Sequence, residues 1–205
     1  MTSQTALRAA VFLDRDGTIN EEIGYLDNPE KLRILPGAAR AIRMINRCGM
    51  AAIVVTNQSG IARGYFDEPT LEAIHRRLGD DIARKGARID RFYYCPHHPT
   101  QGETPYRRDC PCRKPAPGML FKAARELSLS LADSWIVGDT LKDIEAGARA
   151  GVRGVLVKTG YGNEALEELK KNDTEGMDIF RPAWIAETLE EAIRWIVDHP
   201  DRQSR

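Results

Sequence analysis

Short, continuous apolar runs alternate along the chain with longer segments in which apolar residues recur at helical spacing. The runs are rich in Val, Ile and aromatic residues, as expected for strands buried on both faces, and they occupy residues 10–13, 51–55, 92–94, 135–137 and 154–157. The intervening segments predict helices within residues 36–49, 68–85, 118–127, 141–150, 163–171 and 188–197. This alternation predicts a three-layer, doubly wound α/β fold around a mainly parallel sheet.

Composition limits the kinds of partner to expect. The 205 residues suffice for one sizeable core, and we expect a single domain over 1–205 with a loose polar tail at 200–205. Lys plus Arg and Asp plus Glu both number 30, so no net positive charge is present to hold nucleic acid non-specifically. No apolar run approaches the ~20 residues of a membrane span, and the first is too short for a signal peptide. We therefore expect a cytoplasmic monomer with no nucleic-acid or membrane partner.

Polar and charged residues stand where the predicted strands end. They are Asp14 and Asp16 after the first strand, Thr56, Asn57, Gln58 and Ser59 after the second, Lys114 before a helix, and Asp139 after the fourth strand. Side chains at i and i+2 of an extended chain point the same way, so Asp14 and Asp16 can face one site while Arg15 turns aside. Because ligands of such sheets bind beyond the carboxyl ends of the strands, the sequence predicts one site there.

Carboxylates, anion-binding donors and a lysine at one site are typical of phosphoryl transfer. Mg²⁺ takes hard oxygen ligands and phosphate oxygens, and a carboxylate can be the nucleophile that forms an aspartyl-phosphate. Each feature alone has a simpler interpretation: an Asp before Gly is commonly a turn residue, residues 56–59 could cap a helix, and Lys114 could be solvated. Asp139 and Asp143 could complement a helix start. Their common position at strand ends favours the catalytic interpretation.

A long stretch without helix or strand periodicity, residues 95–117, carries a candidate metal site. Cys95 and His97 form one pair and Cys110 and Cys112 another, each spaced so that an extended chain presents both ligands on one side. Three sulfurs and one imidazole are the ligand set of a closed, structural Zn²⁺ site. We expect a zinc-bound loop at about 95–112 that holds the following residues 113–114, Arg and Lys, over the catalytic site.

The cysteines and histidines leave alternatives. His98 is the less favoured ligand, because it points away from Cys95 in an extended chain. Two disulfides are the other interpretation, which is disfavoured in a chain expected to be cytoplasmic. Cys48 lies in an apolar stretch before Gly49, and we expect it to be a small buried residue rather than a ligand.

The motifs DRDGT, TNQSG, CRKP and GDTLKD, in this order over about residues 10–160, resemble those of the haloacid-dehalogenase-like phosphatases. The resemblance implies that Asp14 is the nucleophile and an Mg²⁺ ligand, and that Asp139 is a second Mg²⁺ ligand. Asp16 would be the general acid and then the general base, and its backbone carbonyl would bind Mg²⁺. Thr56, Asn57 and Lys114 would hold the transferring phosphoryl group. Since Asp16 must be protonated to serve the leaving oxygen, we expect its pKa to be raised.

The stretches CPHHP and CPCRKP resemble the zinc-bearing subgroup of this family, which includes heptose bisphosphate and histidinol phosphate phosphatases. IGYLDNPEKLRILPGA and TNQSGIARGYF resemble the heptose bisphosphate enzymes more closely. The resemblance implies an Mg²⁺-dependent enzyme without a large cap domain that removes the C7 phosphate from a heptose 1,7-bisphosphate, for synthesis of a surface polysaccharide. Histidinol phosphate, or another small sugar phosphate, is the alternative substrate. The implied substrate contacts are Glu22, Ile23, Gly24, Tyr25, Thr56, Asn57, Gln58, Ser59, Arg113 and Lys114.

Two further points bear on specificity. Arg113 and Arg63 are candidates for the second, non-reacting phosphate, since arginine can bind it bidentately. Thr140 stands where some heptose enzymes have a lysine, and threonine cannot neutralise a phosphate.

A function of another class, a zinc module that binds nucleic acid or protein, is suggested by the basic stretch RRDCPCRK. It leaves the aspartates at 14, 16 and 139 unexplained.

Overall fold

The computed structural model describes residues 7–174 and 180–199. Within these ranges six strands form one sheet: β1 (Arg8–Leu13), β2 (Ala51–Asn57), β3 (Arg91–Cys95), β4 (Leu129–Gly138), β5 (Arg153–Val157) and β6 (Trp184–Ala186). Their order is β3-β2-β1-β4-β5-β6, and every neighbouring pair is parallel. The predicted parallel α/β sheet is confirmed, and β1 lies at its centre, between β2 and β4.

Helices connect the strands, as the apolar spacing predicts. They are α1 (Ala38–Arg47), α2 (Glu68–Arg84), α3 (Gly118–Leu127), α4 (Leu141–Arg149), α5 (Gly162–Thr174) and α6 (Leu189–Asp198). Several have polar N-caps: the side chain of Asp67 accepts from the backbone N–H of Thr70 at the start of α2, and Thr188 does the same for Glu191 in α6. A short 3₁₀ helix, Pro29–Lys31, lies in the connection between β1 and α1.

The core lies on both faces of the sheet. Along β1, Val11 and Leu13 belong to a buried cluster with the apolar sides of α1, α2 and α6. Ala10 and Phe12 belong to a second cluster, which α3 covers on the opposite face. All four side chains are fully buried. This two-sided burial explains why β1 is a continuous apolar run rather than an alternating one.

The structure differs from the sequence prediction in three places. β4 begins at Leu129, well before the predicted Trp135, and a register shift between Ala9 and Val11 on β1 accommodates the added length. β6 was not predicted because it has three residues, too few for a periodic signal. The expectation that Cys48 is buried is wrong: it lies at the end of α1 and is exposed.

No separate cap domain interrupts the sheet in the described part of the chain, as expected from the short intervals between motifs. None of the helices within residues 7–174 and 180–199 is long and apolar enough to cross a bilayer. The predicted loose tail at 200–205 lies outside the described residues. The single domain over 1–205 stays a prediction.

Candidate active site

The residues that follow β1, β2 and β4 meet at the carboxyl edge of the sheet, where they line a cavity of about 450 Å³. The predicted residues in its lining are Asp14, Asp16, Glu22, Gly24, Tyr25, Thr56, Asn57, Gln58, Ser59, Arg113, Lys114 and Asp139. Ile23 lies outside the lining and is 47% exposed. A larger groove of about 1050 Å³ lies between α1 and α2, but Asp81 is the one acid among its described lining residues. The clustered carboxylates are therefore in the smaller cavity.

Lys114 is a buried residue of the cavity lining. Its ammonium donates to the carboxylates of Asp14 at 2.9 Å and Asp143 at 2.5 Å, and to the carbonyl of Val55 at 2.8 Å. The side chain is 2% exposed. Burial alone would lower the pKa of Lys114, but the two carboxylates raise it above the ordinary value, so the amine stays charged. Lys114 therefore joins the end of β1 to the start of α4.

Three carboxylates converge beside Lys114. Asp14, Asp139 and Asp143 each place one oxygen within 4.8 Å of the others. We call these three residues with Lys114 the aspartate–lysine site. Burial raises the pKa of Asp14 to about 7, with Lys114 opposing the shift and Asp143 adding to it. Burial and the charges of Asp14 and Asp143 raise the pKa of Asp139 to about 8. Hard oxygens gathered against their own repulsion fit a divalent cation such as Mg²⁺, whose charge favours the ionised form.

Two glycines make room for Asp139. Gly17 and Gly160 have φ angles of 75° and 56°, which few other residues adopt. A Cβ atom on either glycine would overlap the carboxylate of Asp139. The same carboxylate accepts a hydrogen bond from the backbone N–H of Tyr161 at 2.8 Å. The loops after β1 and β5 therefore close around Asp139 only because they lack side chains at these points.

Asp16 does not match its predicted electrostatics. Arg15 does not turn aside: its guanidinium lies 2.7–3.1 Å from the Asp16 carboxylate through Nε and Nη2. Asn20 and Gln58 each donate to the same carboxylate at 2.9 Å. Burial alone would raise the pKa of Asp16, but Arg15 and these hydrogen bonds lower it below its ordinary value. The predicted raised pKa is wrong, because the sequence did not show which donors surround the carboxylate.

The polar residues at the end of β2 hold other residues of the site in place. The side-chain amide of Asn57 donates to the carbonyl of Lys114 at 3.0 Å and accepts from its N–H at 3.0 Å. Gln58 donates to Asp16 and, at 2.8 Å, to the hydroxyl of Thr56. This arrangement fixes both the lysine and the second aspartate. Contact of these residues with a phosphoryl group stays a prediction.

Cationic side chains other than Lys114 line the cavity. Arg63, Arg113 and Lys142 belong to its lining. Nε of Arg63 is buried and has no hydrogen-bond partner among the described residues. Arg113 donates to the carbonyl of His97 at 3.1 Å, so it is anchored on the loop that precedes it. The cavity lining therefore offers positive charge in addition to that of Lys114.

The predicted metal ligands of the long loop lie together. One donor atom each from Cys95, His97, Cys110 and Cys112 lies within 4.8 Å of the other three, and we call these residues the cysteine–histidine cluster. The sulfurs are 2.8–3.3 Å apart, and Nδ1 of His97 lies 3.6 Å from Cys95 and 3.4 Å from Cys112. Disulfide sulfurs are ~2.05 Å apart, and the cysteines are free. The donor set fits a tetrahedral metal site. His98 contacts Arg63 instead, at 3.2 Å.

The cluster is tied to the rest of the fold at both ends of the loop. Cys95 ends β3, and its carbonyl accepts from the N–H of Gln58 at 2.8 Å. Tyr94 and Tyr106, before and within the loop, both donate to the carboxylate of Glu68 on α2, at 3.1 and 3.0 Å. These contacts connect the cluster to the segment that holds Asp16.

This arrangement has known counterparts. A family model described as haloacid dehalogenase-like hydrolase matches residues 4–151. The chain belongs to the haloacid dehalogenase-like hydrolase family. The resemblance inferred from the four motifs is therefore confirmed.

Two curated relatives of this hydrolase illustrate the match. D-glycero-beta-D-manno-heptose-1,7-bisphosphate 7-phosphatase of Photorhabdus laumondii is 45% identical over 153 residues, which cover 74% of this chain and 81% of the relative. D-glycero-D-manno-heptose-1,7-bisphosphate 7-phosphatase of Thermosynechococcus vestitus is 40% identical over 196 residues, which cover 94% of this chain and 97% of the relative. The expectation that the chain is an enzyme of the phosphatase class is confirmed by these relatives.

A solved structure shares the architecture. The D,D-heptose 1,7-bisphosphate phosphatase from B. bronchiseptica, complexed with magnesium and phosphate, has a TM-score of 0.79 at 34% identity. The match covers 93% of this chain and 98% of that one.

Sequence reasoning missed some residues of this hydrolase's site. Asp143 is fully buried and bound to Lys114, yet it was considered mainly as a helix-start acid. It does serve as one: its carboxylate accepts from the backbone N–H of Thr140 at 3.2 Å, in a capping box at the start of α4, and from the hydroxyl of Thr140 at 2.6 Å. Its spacing of four residues from Asp139, one helical turn, is the signal that could have identified it. Lys142 and Tyr161 also line the cavity, but no pattern in the sequence singles them out.

Proposed function

We propose that this enzyme is an Mg²⁺-dependent phosphomonoesterase that removes the C7 phosphate of D-glycero-D-manno-heptose 1,7-bisphosphate. The observation that carries the proposal is the convergence of Asp14, Lys114 and Asp139 in one cavity, with Asp143 buried and bound to Lys114. Relatives at 40–45% identity that carry this activity in their names supply the substrate. The further cationic side chains of the cavity lining support it independently, because a bisphosphate carries a second anionic group that must be neutralised.

Asp14 is the nucleophile in this proposal. One of its carboxylate oxygens attacks the phosphorus of the C7 phosphate and forms an aspartyl-phosphate, while the bond from phosphorus to the C7 oxygen breaks. Lys114, already 2.9 Å from Asp14, offsets the repulsion between the carboxylate and the anionic phosphate. Charge spread over the three equatorial oxygens is stabilised by the same ammonium.

Asp16 moves the proton in this proposal. It donates one to the departing sugar oxygen, and it later takes one from the water that hydrolyses the aspartyl-phosphate and releases inorganic phosphate. The donors around Asp16 favour its carboxylate, the form that accepts the water's proton. An anionic phosphate beside it favours the protonated form that the first step requires.

Metal binding follows from the donor sets. Asp14, Asp139 and the backbone carbonyl of Asp16 would hold Mg²⁺, which when bound neutralises phosphate charge and orients the phosphoryl group. The cysteine–histidine cluster would hold Zn²⁺ in a structural role, since its soft ligands leave no open position. The zinc site would keep Arg113 and Lys114 in place.

The remaining predicted residues would contact the substrate. The loop residues are Glu22, Ile23, Gly24 and Tyr25, and those after β2 are Thr56, Asn57, Gln58 and Ser59. Arg63 and Arg113 would bind the C1 phosphate, and the unpartnered Nε of Arg63 among the described residues supports this assignment. We further propose that the enzyme is a cytoplasmic monomer. Light scattering on the purified protein would test its oligomeric state.

Phosphate release with Mg²⁺ tests the proposal. We expect kcat/KM on heptose 1,7-bisphosphate to exceed that on histidinol phosphate and on heptose 7-phosphate, the compound without the second phosphate. Asp14→Asn is the matched control and should release no phosphate above background. If the wild-type protein released phosphate from no sugar bisphosphate, or preferred histidinol phosphate, the proposed substrate would be wrong.

A further inference from the structure

A charged residue is fully buried beside the catalytic carboxylates. Arg15 lies between Asp14 and Asp16 in the sequence, yet its side chain is 0% exposed and forms an ion pair with the carboxylate of Asp16. Nε and Nη2 make three contacts with the Asp16 carboxylate, at 3.1, 2.9 and 2.7 Å. A guanidinium bound in this way fixes the plane of the carboxylate as well as its position.

The far side of the guanidinium contacts a buried histidine. Nη1 of Arg15 lies 3.4 Å from Nε2 of His75, which belongs to α2 and is 6% exposed. Arginine can only donate, so Nε2 must be the acceptor and the ring proton must be on Nδ1. Burial, followed by the charge of Arg15, lowers the pKa of His75 to about 3, in accord with a neutral ring.

The imidazole is itself held by its neighbours. The ring of His75 stacks on Phe92 of β3 with 4.6 Å between centroids and 17° between planes. The ring of Tyr94 packs against it in a T-shaped arrangement, with 6.0 Å between centroids and 62° between planes. A histidine packed in this way has one orientation, and its lone pair points at one nitrogen of Arg15. A chain of contacts therefore runs from α2 through Arg15 to the carboxylate that faces the cavity.

We infer that His75 and Arg15 are positioning residues that aim the Asp16 carboxylate at the leaving oxygen of the substrate. The inference rests on the proposed function, because it needs Asp16 as the acid. Without a second contact, the Arg15 and Asp16 side chains could change conformation together. The hydrogen bond from Nη1 of Arg15 to His75 prevents this, because it fixes the side of the guanidinium that faces away from Asp16. Proton transfer depends on reach and alignment, so a loosened Asp16 would protonate the leaving group poorly.

Two substrates separate this role from a merely structural one. A sugar phosphate releases an alkoxide that needs a proton from Asp16, whereas p-nitrophenyl phosphate releases a stabilised phenolate that hardly does. The kcat/KM value reports the steps up to release of this group. Loss of the acid's alignment therefore lowers kcat/KM for the sugar phosphate more, while damage to the nucleophile, the metal site or folding lowers both values together.

His75→Leu removes the acceptor and keeps an apolar side chain of similar size. We expect it to reduce kcat/KM for the sugar bisphosphate by about 10–100-fold, and for p-nitrophenyl phosphate by less than about 3-fold. His75→Gln places a carbonyl oxygen close to the position of Nε2 and should restore most of the lost activity. Ile82→Val is the matched control: it removes one buried methyl group from α2, two turns beyond His75, and leaves the contacts of His75 and Arg15 in place, so both substrates should change by the same factor.

Each outcome decides the inference. Equal losses on the two substrates in His75→Leu, no loss on either, or a selective loss of the same size in Ile82→Val would overturn it. If His75→Leu does not fold, His75→Asn, whose shorter side chain does not reach Arg15, is compared with His75→Gln in the same assay, and equal activities overturn the inference. The wild-type protein separates failure of this inference from failure of the proposed function. If the wild-type protein released no phosphate from the sugar bisphosphate, the proposed function itself would be wrong.

Discussion

The aspartate–lysine site and the cysteine–histidine cluster are both groups of metal-binding side chains, but they are assembled differently. The cluster draws on residues at most 17 positions apart, all within or beside one loop. The aspartate–lysine site draws on positions 14, 114, 139 and 143, which only the sheet brings together. The first depends on a ligand pattern in the chain, and the second depends on the fold.

The two regions also differ in what stabilises their charges. In the aspartate–lysine site, Lys114 binds two carboxylates while burial raises the pKa of Asp14 and Asp139. The cysteine–histidine cluster contains no cationic side chain, and thiolates gathered there need a metal ion for neutralisation. Loss of one ligand should therefore affect folding more in the cluster, and chemistry more in the aspartate–lysine site.

Asp14→Asn should have the largest effect on activity. The amide is nearly the same size and still accepts from Lys114, but it cannot form the aspartyl-phosphate, so turnover should fall by at least ~10³-fold. Phosphate release measures the loss, and metal analysis of the same sample measures zinc. Retained turnover would remove Asp14 from the nucleophile's role, and a loss of zinc would show that the two regions are not independent.

Cys110→Ser should affect zinc content and stability first, whereas Asp14→Asn should affect only the chemistry. The hydroxyl is a poor zinc ligand, so metal content should fall from about one zinc per chain toward zero, with a lower Tm and activity lost as a consequence. Cys48→Ser is the matched control, because Cys48 is exposed and outside the cluster. Metal analysis and calorimetry check both variants. Full zinc content in Cys110→Ser would contradict the assigned ligand set.

The same difference explains how much could be predicted from the sequence. All four residues of the cysteine–histidine cluster were predicted from the sequence. Their residue types indicate metal ligands, and the i, i+2 spacing within each pair places both side chains on the same side of an extended chain. The sheet was predicted because its central strands are continuous apolar runs, and β6 was missed because three residues carry no period.

The pKa shifts and the buried ion-pair partners of the site could not be predicted from the sequence. The pKa of Asp16 was predicted with the wrong sign, because the folded chain surrounds it with Arg15, Asn20 and Gln58. Asp143 was undervalued because its partner, Lys114, lies 29 positions away. Residue type and spacing identify candidate groups, but a shift in pKa depends on neighbours that only the tertiary structure defines.

Asp143→Asn tests whether the aspartate–lysine site is held by its buried ion pair. The change removes one of two carboxylates that neutralise Lys114, so stability should fall by about 3 kcal/mol, with zinc content unchanged. Glu145→Gln on the same helix is the matched control: its ion pair with Arg149 is partly exposed to solvent, and its loss should cost less than about 0.5 kcal/mol. Urea unfolding measures both. Equal effects would mean that the buried pair contributes no more than a surface one.

The smallest effect concerns the histidine behind Asp16, through the pH dependence of stability. The pKa of His75 is about 3 in the folded chain, below the ~6.5 of a free histidine, so between these values the unfolded chain binds a proton that the folded chain does not. Stability therefore falls as the pH decreases below 6.5, and His75 accounts for about 2 kcal/mol between pH 7 and pH 5.

His75→Gln isolates this contribution, because glutamine does not titrate. We expect the difference in unfolding free energy between pH 7 and pH 5 to be smaller in the variant by about 2 kcal/mol, as measured by urea unfolding at both pH values. The thiols of the cysteine–histidine cluster are the same in both proteins, so their pH dependence cancels in the comparison. An unchanged difference would mean that His75 is protonated in the folded chain at pH 5, and its Nε2 could not then accept the hydrogen bond from Arg15.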